Sequence, residues 1–95
     1  MKKDYELTVI FAPVLKEQGL TSVISAVEGI VKKYKGKVLE FNDEGKQKLA
    51  YPLKKYREGI YVFWVLDLAS DKVKEFENEL KLQKGLLRHL LVVKE

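Results

Sequence analysis

A chain of 95 residues has room for one domain with a single core between two packed layers, and an apolar share of 46% is that of a folded chain, not a disordered one. It contains no cysteine and one histidine, which excludes a disulfide framework, thiolate chemistry and a zinc ligand set, and fits a reducing compartment. The formal charge is +4, from 18 basic against 14 acidic residues, and it favours an anionic partner if the excess is localised.

The opening Met1-Lys2-Lys3 has the basic start of a signal peptide, but Asp4 and Glu6 interrupt the region that would have to be apolar. The longest apolar run, Ile60 to Leu66, is too short to cross a bilayer, so a cytoplasmic protein is expected. Tyr5 to Ala12 alternates and is rich in β-branched and aromatic residues, which predicts a strand ended by Pro13. Tyr5, Leu7, Val9 and Phe11 make its apolar face, and Ile10 falls on the other. Leu20, Val23, Ile24, Val27, Ile30, Val31 and Tyr34 recur at three and four, predicting a helix that starts between Leu15 and Thr21. Gly36 is expected as its C′ residue, after Lys32, Lys33 and Lys35, whose charges suit the helix dipole without any ligand. Gly29 inside the helix suggests close approach of another backbone.

Lys37 to Pro52 reads as a second strand, kinked or bulged at Asn42-Asp43-Glu44-Gly45. Pro52 cannot donate to a ladder and places the strand at a sheet edge, with a turn between Lys54 and Gly59. Ile60 to Leu68 is apolar throughout, as a central strand would be, with Val62, Trp64, Leu66 and Leu68 facing the core. Ser70 is expected to cap a helix striped by Val73, Phe76 and Leu80 and stopped at Gly85, before a last strand from Leu86 to Lys94. The order β-α-β-β-α-β predicts an α+β fold, a four-stranded antiparallel sheet with both helices on one face and the first and third strands central.

Two features of that arrangement bear on function. Between Lys46 and Arg57 the chain carries Lys46, Lys48, Lys54, Lys55 and Arg57 with no acid, and the rest is nearly neutral. A concentrated excess of this kind suits a polyphosphate surface, although lysines on a solvated hairpin also discourage edge pairing. Two helices cover one face of a four-stranded sheet, which leaves Ile10, Tyr61, Phe63 and Val65 on the other. These would form a contact surface or cross-strand pairs that stabilise the sheet. Bases could stack on such a face, as in an RNA-recognition motif, but Ile10 stands where a ring would be wanted and the third strand matches that motif poorly. Binding to short unstructured oligonucleotides without a protein partner would favour that alternative.

Residues for catalysis are lacking. His89 beside Arg88 suits packing or backbone bonding, Asp71, Glu75 and Glu79 fall on the solvated side of a helix, and Gly45 and Gly59 are isolated glycines that make no phosphate loop. The loop after the first strand, Phe11-Ala12-Pro13-Val14-Leu15, has no arginine, which an acylphosphatase of this topology would place there.

Lys3-Asp4-Tyr5-Glu6, Gly45-Lys46-Gln47-Lys48 followed by Leu49-Ala50-Tyr51-Pro52, Gly59-Ile60-Tyr61, and Leu86-Leu87-Arg88-His89-Leu90 together resemble bacterial small-subunit ribosomal protein six over nearly the whole chain. Gln47 departs from a position often basic there, and the chain ends at Glu95 without the acidic or extended tail of many members. The resemblance implies a ferredoxin-like fold and a structural role in the central domain, or platform, of the small subunit. It also implies binding to ribosomal RNA as a heterodimer with small-subunit ribosomal protein eighteen. No cofactor, metal, membrane or small-molecule substrate is implied. On this reading Lys46, Lys48, Lys54, Lys55 and Arg57, with Arg88 and Lys2 or Lys3, meet phosphates, while Ile10, Tyr61, Phe63 and Val65 face a partner protein or RNA.

Overall fold

The computed structural model describes residues 2–15 and 17–94; Met1 and Glu95, which enter the reading of the two ends, lie outside them. Strand β1 (Lys2–Phe11) leads to helix α1 (Glu17–Lys33), then β2 (Lys37–Leu53) and β3 (Tyr56–Ala69). A turn of 3-10 helix at Ser70–Lys72 enters α2 (Val73–Leu80), and β4 (Leu86–Val93) follows. The four strands form one antiparallel sheet in the order β2-β3-β1-β4, so the first and third strands are central.

Alternation sets the two faces. Tyr5, Leu7, Val9 and Phe11 of β1 and Val62, Trp64, Leu66 and Leu68 of β3 are buried in one cluster with Val27, Ile30 and Val31 of α1 and Phe76 and Leu80 of α2. Both helices therefore cover the same face. Trp64 is fully buried, its indole Nε1–H donates to Glu28 Oε2 of α1 at 3.0 Å, and its ring lies 5.7 Å from that of Phe41.

Several local expectations change. The left-handed residue after α1 is Lys35 (φ 62°), not Gly36. Lys35 N–H donates to the Lys32 carbonyl and Gly36 N–H to that of Val31, the paired bonds of a Schellman ending. Gly36 is there for space, since a Cβ would stand 2.5 Å from the Asp67 carbonyl oxygen. Gly29 is exposed with nothing within 4 Å of a Cβ, so no backbone approaches it. Ser70 makes no cap: it opens the 3-10 turn, and no side chain bonds the N-terminus of that turn or of α2. The second helix ends at Leu80; Gly85 (φ 81°) serves the later turn into β4.

Glu79 is not simply solvated. Its Oε2 accepts from Tyr34 Oη and lies 2.9 Å from Lys33 Nζ, joining the end of α1 to α2. The Tyr34 hydrogen bond, then that of Lys33, holds the Glu79 carboxyl below its ordinary value, and the same carboxylate raises Tyr34 and Lys33 above theirs. A depressed carboxyl stabilises the fold above its unfolded pKa and loses that contribution as pH falls through the folded one. Raised Tyr34 and Lys33 contribute up to their unfolded values and lose it at higher pH. Thermal midpoints of Tyr34→Phe and the parent chain should therefore differ near neutrality and converge in acid below the usual glutamate range. A difference that persists unchanged in acid would show that Glu79 is not the linked group.

Candidate nucleic-acid interface

Pairing of β1 with β3 ends at Phe11 opposite Ile60, while β2 and β3 continue past it as a hairpin arm. Lys46 sits opposite Ile60 and Lys48 opposite Glu58; the next pair is Leu53 with Tyr56. Leu49, Ala50, Tyr51 and Pro52 thus face a single residue, Arg57. This is a large bulge, and it accepts a proline because the ladder is interrupted there. The loop that closes the arm is two residues, Lys54 (φ 48°) and Lys55 (φ 75°), both left-handed. Gly59 lies within the ladder, where a Cβ would come 2.4 Å from Ile10 Cγ2.

Among the described residues, Lys46, Lys48, Lys54, Lys55 and Arg57 form no ion pair with a carboxylate, and all five are exposed. Unpaired cations in water keep their charge available to a phosphate. The bulged stretch turns across the open face of the sheet. Arg88 Nη1, on β4 opposite Ile10, donates to Tyr51 Oη at 2.8 Å, a bond from one sheet edge to the other over the two central strands. Arg88 therefore joins the arm. Lys2 and Lys3 do not: they pair with Ala69 and Leu68 at the far end of β1, and Lys2 Nζ donates to the Lys35 carbonyl at 2.8 Å. Ten residues of strand, roughly 30 Å, separate them from the arm.

Ile10, Tyr61 and Phe63 lie half-buried on the open face, beside exposed Leu90 and Val92. Val65 is 3% exposed although it belongs to no part of the helix-side core. A second edge-to-edge contact crosses its end of the sheet, Lys94 Nζ to Glu40 Oε2 at 3.7 Å, with Glu40 directly beside Val65. Val65 is consequently withdrawn from the surface that the other three offer. The open side of β1 reads Glu6, Thr8, Ile10, with no ring for a base to stack on. His89 points to the helix side, where Nε2 lies 2.8 Å from Glu77 Oε2 of α2. No group of three or more potential metal ligands occurs among the described residues, and none of their helices is long and apolar enough to cross a membrane.

A family model described as Ribosomal protein S6 matches residues 4–93. The chain belongs to the ribosomal protein S6 family. It is 30% identical over 90 residues to small ribosomal subunit protein bS6 of Caldanaerobacter subterraneus subsp. tengcongensis, covering 95% of each chain. It is 32% identical over 91 residues to the bS6 protein of Clostridioides difficile strain 630, covering 96% of this chain and 98% of that one. The crystal structure of 30S ribosomal protein S6 from Thermotoga maritima superposes with a TM-score of 0.91 at 25% identity, over 99% of this chain and 89% of that one. The C-terminal domain of the MgtC protein from Mycobacterium tuberculosis shares the fold alone, at a TM-score of 0.66 and 17% identity. In this S6-family chain the Leu-Ala-Tyr-Pro signature is the bulge itself, and three of its four residues have a visible role there. Leu49 packs toward Gly59, Tyr51 reaches Arg88, and Pro52 needs no ladder partner.

Proposed function

We propose that this S6-family chain is a structural constituent of the small ribosomal subunit that binds ribosomal RNA in the central domain, or platform, as a heterodimer with small-subunit ribosomal protein eighteen. The observation that carries the reading is the arm: five exposed cations at one end of the domain, none of which pairs with a carboxylate of the described residues. Lys46, Lys48, Lys54, Lys55 and Arg57, with Arg88 beside them, contact phosphate. Ile10, Tyr61 and Phe63, extended by Leu90, meet the partner protein, and Val65 continues the same face without being exposed. Phosphate contacts position a protein without reading sequence, so specificity comes from the shape of the folded RNA and from the partner. Its place is the ribosome in the cytoplasm, and it has no catalytic role.

Binding of a central-domain ribosomal RNA fragment, with and without protein eighteen, tests this. With four or five phosphates neutralised, log K falls against log salt with a slope of roughly −3 to −4.5. The variant with Lys54, Lys55 and Arg57 all changed to alanine keeps its fold and loses about 2 to 3 units of that slope. An unchanged slope would remove the arm from the RNA interface. Tight binding by this chain alone would contradict the heterodimer.

A further inference from the structure

The bulge and the facing part of β3 enclose a groove of about 670 Å³, well within the range of roughly 300 to 1,000 Å³ that small ligands occupy. Lys48, Lys55 and Arg57 line it, against Glu58 as the one described carboxylate on its wall. Tyr51 and Tyr56 are also among its lining residues. Cations that take a phosphate beside rings that take the face of a base are the composition of a single-strand nucleotide site. A helical duplex would use the charge and leave the rings idle, because its bases are stacked on one another.

The closing turn is a second, independent observation. Two left-handed residues in a two-residue hairpin loop are ordinarily asparagine and glycine, and a lysine holds that conformation only at a conformational cost. Glycine at position 55 would relieve the backbone and leave no ammonium at the groove.

We infer that this groove holds one unstacked nucleotide of the bound RNA, its base against the Tyr51 and Tyr56 rings and its phosphate on Lys55 and Arg57. This rests on the RNA-binding reading above and deepens it: the arm clasps an extruded nucleotide as well as resting on a phosphate surface.

The test uses the full chain with protein eighteen and the central-domain RNA fragment. Tyr51→Leu and Tyr56→Leu are each expected to weaken binding roughly five- to 150-fold, the effect of losing one stacked base, with the salt slope unchanged. Lys55→Gln should flatten the slope by about 0.7 to 0.9. Tyr51→Phe, which keeps the ring and loses the bond to Arg88, should bind like the parent. Parent affinity in both leucine variants, with Lys55→Gln still flattening the slope, overturns the groove and leaves the phosphate reading standing. If the parent does not bind the fragment at all, both fall. A measurement without variants guards against misfolding: amide resonances of residues 48–58 should respond to adenosine 5′-monophosphate at lower concentration than to inorganic phosphate. Equal responses would overturn the proposal.

Discussion

Replacing Lys54 by asparagine and Lys55 by glycine is expected to stabilise the domain and to weaken its hold on RNA in the same variant. Positive φ at both central positions of a two-residue hairpin loop is the geometry that Asn-Gly adopts with least strain. A left-handed conformation costs an ordinary residue on the order of 1 kcal/mol or more, and asparagine and glycine avoid most of it. The gain across both positions should be about 1 to 2 kcal/mol. At about 4 to 8 °C per kcal/mol for a chain of this size, the thermal midpoint should rise by roughly 4 to 16 °C. Two phosphate contacts leave with the two ammonium groups, so the salt slope for the RNA fragment should flatten by about 1.4 to 1.8. A variant no more stable than the parent would mean the turn carries no strain. A stabilised variant with an intact slope would mean that neither lysine touches RNA.

The second large effect is expected inside. Trp64 sits on a central strand with no exposure, between Leu7 of β1 and Phe41 of β2, and its indole ties β3 to Glu28 of α1. Trp64→Ala removes the largest buried side chain and leaves a cavity, at a cost of about 3 to 5 kcal/mol, within a total stability of about 5 to 15 for a protein of this kind. The midpoint should drop by at least about 12 °C. Trp64→Phe keeps most of the volume but loses part of the ring and the bond to Glu28, so it should fall between the parent and Trp64→Ala. If Trp64→Phe were as damaging as Trp64→Ala, the hydrogen bond and not the packing would hold α1 to the sheet. Chemical denaturation of the three chains separates these outcomes.

How far the fold could be read from the residues depended on the range of the interaction responsible. The faces of β1 and β3 were legible because period-2 alternation fixes them locally, and the central position of both strands followed from the element order and right-handed crossovers. Turns and caps were less so. Gly59 and Gly36 look like turn glycines, but one makes room for Ile10 and the other for the Asp67 carbonyl, while the left-handed work is done by Lys54, Lys55 and Lys35. The turn after Lys54 was legible, but lysine carries no signal for a left-handed backbone, so which residues adopt it was not. The basic arm was visible as composition; that Arg88 joins it, and that Lys2 and Lys3 stand at the opposite end, follows from strand order. The bulge at Leu49 to Pro52 looks like plain edge strand in the sequence, since only the partner strand's count of residues reveals it. Val65 shares a face with Tyr61 and Phe63, yet the Lys94–Glu40 contact that crosses beside it joins residues too distant in sequence for any local pattern to announce.

Strand order also sets when this domain can acquire its shape. β1, made early, is central, and its outer neighbour is β4, made after the other three strands of the sheet. A growing chain can close the β2–β3 hairpin, but β1 stays without one of its two neighbours until β4 has left the exit tunnel. Folding should therefore be completed after synthesis of β4, with the slow rates expected of pairings between strands far apart in sequence. Until then the hydrogen-bonding edge of β1 stands open to other chains.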